Sequence, residues 1–145
     1  MILGPGEIDV QIIRRHLAAL RESLHLLSTH SGVSLEKLDT DTEERWMVER
    51  GLQLCAQNAL DIATHIAASR GRDVPDDASA IDELGRLGVL SHEFVREFRS
   101  VAGFRNVLVH GYLDVDLDVL YTLLHDRLGD FESFATSIEA YLRSL

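Results

Sequence analysis

Four residue types suited to phosphodiester chemistry fall within one short run, Gly-Phe-Arg-Asn-Val-Leu-Val-His-Gly-Tyr at 103–112. Arg105, Asn106, His110 and Tyr112 sit there at the end of an apolar helical segment. In a helix Asn106 and His110 are four apart and share a face, whereas Arg105 lies about 140° around the axis from His110. One copy therefore presents these groups at a spread angle. Two copies related by a two-fold axis would pool two arginines and two histidines in one cleft, an isologous arrangement. Gly111 can take the left-handed conformation that ends helices, which places His110 in the last turn, where the helix dipole favours imidazolium. An imidazole gains and loses protons close to neutral pH, and a guanidinium stays charged and suits a phosphate. Together these groups meet the needs of RNA cleavage without a metal: a base for the 2′-hydroxyl proton, an acid for the leaving oxygen, and fixed donors for charge building on phosphorus. The residues alone leave a second reading open, a polar helix end that hydrogen-bonds its own loop.

The run Arg105-Asn106-Val107-Leu108-Val109-His110-Gly111-Tyr112 resembles the Arg-x-x-x-x-His-x-Tyr motif of HepT-like toxins, a branch of the HEPN-domain ribonucleases. The resemblance extends upstream through Glu49-Arg50-Gly51-Leu52-Gln53 and downstream into the acidic start of the last helix, so it covers the chain from about Asp39 onward. It implies a dimeric, metal-independent endoribonuclease toxin of a type VII system that cleaves RNA, tRNA or mRNA, with no cofactor. Arg105, Asn106 and His110 would be its catalytic residues. The implied partner is a minimal nucleotidyltransferase antitoxin of the MntA type, which attaches AMP to the motif tyrosine, here Tyr112, within a hetero-oligomeric complex. The competing reading is a non-catalytic helical adaptor or nucleotide-binding partner of such a nucleotidyltransferase. RNA left intact by both the native chain and a His110 variant would favour the adaptor. The roles of Glu49, Arg50 and His65 stay open, an ion pair along the helix being an equal account of the first two.

The elements that must position the motif are helical. Hydrophobic residues make up 46% of the 145, only two are proline, and Leu, Ala, Glu and Arg recur at helical spacing, so an all-α antiparallel bundle of four to five helices in one domain, HEPN-like by the resemblance, is predicted. The formal charge of −10 argues against a surface that coats nucleic acid broadly. Any RNA contact must be local, and Arg96, Arg99 and Arg105 form such a cluster, partly offset by Glu93 and Glu97. Cys55 is the only cysteine, which excludes an intrachain disulfide and a cysteine-based zinc site and marks it as a small buried hydrophobe. No stretch resembles a secretory signal or a membrane span, and a cytoplasmic location is the expectation.

In chain order, a first helix is expected from Glu7 to about His30, with Ile8, Ile12, Leu17, Leu20, Leu24 and Leu27 as its apolar stripe. Its histidines, His16, His25 and His30, are not spaced to put three metal ligands on one face. A second helix opens near Asp41, with Glu44 completing a capping-box-like spacing, and runs to about Ser69. Residues 71–77 read as loop, followed by a short helix from Ser79 to Arg86. Ser91 then reads as an N-cap with Leu90 and Val95 as a hydrophobic staple, and Phe94, Phe98 and Val101 as core. Gly103 is placed to loosen the helix before Arg105. The acid-rich run 114–118 reads as a helix start in place of a calcium loop, and one last helix is expected to continue through Leu120, Leu128, Phe134 and Tyr141.

Overall fold

The computed structural model describes residues 8–110 and 116–145, with side-chain surroundings for 8–105 and 116–145. Every regular element among them is a helix: α1 (Val10–Ser28), α2 (Leu35–Thr40), α3 (Thr42–Ser69), α4 (Asp77–Arg86), α5 (His92–Phe98), α6 (Val101–His110), α7 (Leu117–Asp126) and α8 (Leu128–Ser144). The all-α expectation holds. The four-to-five-helix bundle is recognisable as α1, α3, the consecutive pair α5 and α6, and the consecutive pair α7 and α8, with α2 and α4 as short additions.

Local chemistry starts the helices where the sequence marks them. Asp41 accepts from the Glu44 backbone N–H at 3.2 Å and Ser91 from that of Phe94 at 3.1 Å, satisfying donors that a first turn leaves orphaned. Asp116 caps α7 through the Asp118 N–H at 2.9 Å, so the described end of the acidic run serves a helix start as expected. The expectation missed α2, which Ser34 caps and which buries a single side chain, Leu38; one apolar contact in six residues leaves no periodicity to read. It also placed Asp77 in a loop. Asp76 caps the Ser79 N–H at 2.7 Å, so α4 begins two residues earlier, at Asp77.

α3 is the axis of the molecule. At 28 residues it is about 42 Å long. From Cys55 onward it buries Cys55, Ala56, Ala59, Leu60, Ile62, Ala63, Ile66 and Ala67, a set too wide for one stripe, because α1 covers one side and α4 and α6 another. Contacts between α1 and α3 run antiparallel: Leu27 lies against Gly51, His16 Nδ1 meets Asn58 Oδ1 at 2.9 Å, and the Asp9 N–H donates to His65 Nε2 at 3.1 Å. Asn58 is buried yet satisfied, since its amide also donates to the Leu54 carbonyl. α8 closes the other side of α1, where Arg14 and Arg21 hold Glu139 and keep its carboxyl below the usual range, Arg14 foremost. Burying each Leu or Ile is worth about 1.5–3 kcal/mol, against about 0–1 for exposed ion pairs, so packing holds this bundle together.

The last expected helix is broken. Arg127 leaves helical geometry (φ −116°, ψ −3°) and separates α7 from α8. Its guanidinium bonds Asp130, the Glu97 carbonyl and Ser100 Oγ, and lies over the Phe104 ring at 5.3 Å. The apolar stripe keeps its phase across the break, from Leu120, Leu123 and Leu124 to Phe131, Phe134 and Ile138, which is why periodicity did not reveal it. The aromatic series is core as expected: Phe98 is fully buried and packs on Phe94, Phe131 and Phe134 at 4.9, 5.6 and 5.0 Å. Cys55 is also buried, which pushes its thiol up to about 12.

Gly51 lets α1 and α3 approach closely, since a Cβ there would stand 2.7 Å from Leu27 Cδ2 and 2.9 Å from its Cγ. Alanine gains about 1 kcal/mol of helix propensity, but overpacking beside a fully buried leucine costs about 1–3 kcal/mol. Gly51→Ala is therefore expected to lower the unfolding free energy by about 1 kcal/mol, read from the urea midpoint. A raised midpoint would show that the helices can move apart at no cost.

Candidate functional site

α6 carries the motif, and the junction before it sets its direction. α5 stops at Phe98, Ser100 donates to the Glu97 carbonyl at 2.9 Å, and α6 starts at Val101. The break thus precedes Gly103, whose surroundings are open, so it is not the residue that interrupts the helix. Val101 and Ala102 are buried, and Phe104 lies under the Arg127 guanidinium. Arg127 ties the ends of α5 and α7 to the first turn of α6, so the position of Arg105 follows from contacts made far along the chain.

Arg105 is half-buried, its side chain 29% exposed, and leans on two carboxylates from different helices. Its Nη1 lies 3.7 Å from Asp61 Oδ1 on α3 and 3.6 Å from Asp77 Oδ2 at the start of α4. Both contacts use the same nitrogen. Both are ion pairs longer than a hydrogen bond, and among the described residues no hydrogen bond to the Arg105 guanidinium is formed, so its donors can still meet a further anion.

Asn106 and His110 are helical, one turn apart on the backbone of α6, as their spacing predicted. Their side-chain surroundings, and Gly111 and Tyr112 altogether, lie outside the described residues. Glu49 pairs along its own helix with Arg45 at 3.9 Å, and Arg50 with Gln53 at 3.2 Å. Partial burial raises the Glu49 carboxyl's pKa, opposed by the Arg45 charge. Twelve residues separate Glu49 from Asp61 on α3, about 18 Å along the axis, so within one subunit Glu49 is remote from the acids around Arg105. His65 accepts the Asp9 N–H and so anchors the start of α1. His16 and His30 also make contacts between segments, His16 with Asn58 and His30 with Glu44 at 2.7 Å.

The sequence reading missed Asp61 and Asp77. Asp61 carried a legible signal, a lone acid inside Ala59-Leu60-Asp61-Ile62-Ala63, but nothing in the sequence says which cation it meets.

A protein-family model described as ribonuclease HepT-like matches residues 10–138. The chain belongs to the HepT-like ribonuclease family. Membership makes it an endoribonuclease, as the motif implied. It is 29% identical over 139 residues to the tRNA nuclease HepT of Aphanizomenon flos-aquae, covering 95% of both chains. It is 28% identical over 90 residues to the mRNA nuclease HepT of Shewanella oneidensis, covering 61% of this chain and 68% of that one. Its fold is similar to that of a tri-AMPylated Shewanella oneidensis HEPN toxin solved in complex with an MNT antitoxin, with a TM-score of 0.77 at 23% identity over 89% of this chain and 97% of that chain. Among the described residues no helix is long and apolar enough to cross a membrane.

The pairs of Arg105 with Asp61 and Asp77 are solvent-accessible, so each is worth at most about 1 kcal/mol of stability. The Asp61→Asn, Asp77→Asn double variant should fold with only that small loss yet cleave RNA about tenfold more slowly, about 1.4 kcal/mol in barrier, because the guanidinium is no longer fixed. Undiminished kcat in the folded variant would show that the two acids do not orient Arg105.

Proposed function

We propose that this chain is the toxin of a HepT/MntA-like toxin–antitoxin pair, a metal-independent endoribonuclease whose site forms between two copies related by a two-fold axis. The observation that carries the reading is the HepT-like family match over residues 10–138, joined to an intact Arg105…His110…Tyr112 motif on and just after α6. The outward side of the Arg105 donor fork binds and stabilises the scissile phosphate. One His110 takes the proton of the RNA 2′-hydroxyl, whose oxygen attacks phosphorus, while the partner's His110 gives a proton to the departing 5′-oxygen. The products are a 2′,3′-cyclic phosphate and a 5′-hydroxyl, and the proton count balances across the two imidazoles. Asn106, one turn from His110, orients the imidazole or the phosphate. The nuclease relatives named for tRNA and for mRNA support an RNA substrate of one of these classes.

In this reading Tyr112 is the site at which a minimal nucleotidyltransferase antitoxin silences the enzyme. Its phenolic oxygen attacks the α-phosphorus of ATP, pyrophosphate leaves, and the attached AMP adds negative charge and bulk that exclude RNA. Support comes from the similar toxin that was solved AMPylated and bound to its MNT antitoxin.

Purified chain incubated with total tRNA in chelator should degrade it, and His110→Ala should slow cleavage about 10²–10⁴-fold with the dimer intact. Equal RNA survival in both samples would favour the adaptor reading. After incubation with the partner nucleotidyltransferase and ATP, the Tyr112 peptide should show added AMP by mass spectrometry. A peptide that stays unmodified would remove that part of the proposal.

A further inference from the structure

Beside Arg105, α4 and α5 enclose a groove of about 490 Å³ lined by Asp82, Arg86, His92, Val95, Arg96 and Arg99. Three arginines face one aspartate there, on a chain whose formal charge is −10. The excess of acid elsewhere makes this concentration of cations informative, since phosphate affinity rises from local clusters of Arg and Lys.

α4 sets the spacing of the cations. Asp77 holds Arg105, and five residues later Asp82 holds Arg99 through two bonds of 3.1 Å each. Five residues of α-helix rise about 7.5 Å and turn about 140°, so α4 holds the two guanidiniums one above the other on different sides of its axis. Arg99 also contributes to holding the exposed Asp76 carboxyl below its usual range, after the larger effect of hydrogen bonds from Ser79. Arg86 pairs with Glu83, which Arg72 also approaches at 3.5 Å. Arg96 is exposed and in no ion pair among the described residues, so its charge is not already neutralised by a fixed carboxylate.

We propose that this groove is a backbone-binding subsite for single-stranded RNA, in which Arg99, Arg96 and Arg86 take the phosphates that flank the one at Arg105. The inference deepens the ribonuclease reading and rests on it for the place of the scissile phosphate. Recognition there is by charge, so the groove supplies affinity and strand direction and carries no base preference. Val95 is the sole apolar lining residue, and no Phe, Tyr or Trp is among the lining side chains.

The test is equilibrium binding of a fluorescent single-stranded 20-nucleotide RNA to the full-length His110→Ala protein, which does not consume its ligand, across a salt series. Adding Arg96→Gln should weaken binding about fivefold at 0.1 M salt and reduce the slope of log affinity against log salt by about 0.7, the value for one phosphate contact on a single strand. Arg15→Gln is the control: an exposed arginine on α1, which packs on α3 and α8, with the same change in net charge. Because Arg96 holds no partner, its variant tests the groove without disturbing the Arg99–Asp82 pair. Equal weakening by both variants, or by neither, overturns the subsite. Unchanged RNA binding with a weakened nucleotidyltransferase complex would assign the groove to the antitoxin, and a change in sedimentation would assign it to a subunit contact; each overturns the proposal. Cleavage by the unaltered protein is scored separately. A protein that binds RNA through Arg96 but leaves tRNA intact would sink the nuclease reading and leave the groove standing.

Discussion

The structure depends on one constraint, that α3 cannot face water on two of its sides. From Cys55 to Ala67 its buried apolar side chains span about 160° of its circumference, wider than one neighbour's stripe. A single neighbour covers only about a third of a helix, so α1 on one side and α4 with α6 on another are both required. The small residues Ala56, Ala59, Ala63 and Gly51 let these partners approach closely, and large ones such as Ile62 and Ile66 fill what remains. Ion pairs decorate this arrangement without holding it, because the ones described are largely exposed.

A charge, Asp61, interrupts the apolar surface of α3 on the flank that faces the motif helix α6. Asp61 is partly exposed there and meets a cation. Arg105 supplies it from α6 and Asp77 joins from α4, both as ion pairs longer than a hydrogen bond. The same helix α4 that contributes Asp77 also contributes Asp82 to Arg99, so one short amphipathic helix orients two arginines of the following elements. A strongly acidic chain thereby keeps a small region of directed positive charge, which is the electrostatic requirement for meeting a polyanion locally.

Arg127 shows how distant residues set the geometry of the motif. It breaks the helical run that periodicity predicts, and uses the freed direction to bond the end of α5 and cover Phe104 at the start of α6. Because the apolar stripe stays in phase through the break, no pattern of hydrophobic residues records it. The energetics of one guanidinium finding three acceptors and a ring depend on four separate segments meeting, which exists only in the folded state.

Local chemistry made much of the chain legible: helix starts at Asp41 and Ser91, the aromatic core around Phe98, the burial of Cys55 and the helical spacing of Asn106 and His110 all follow from side-chain type and short-range spacing, whose physics operates within a turn or two. The sequence by itself determined the helical class and pointed to the family and to Arg105, Asn106 and His110 as candidates for phosphodiester chemistry. The tertiary structure alone decided which acids hold Arg105, where the last helix breaks and where the arginines of α4 and α5 gather, because each of these is a meeting of residues far apart in the chain, chosen by how helices pack and not by any local preference.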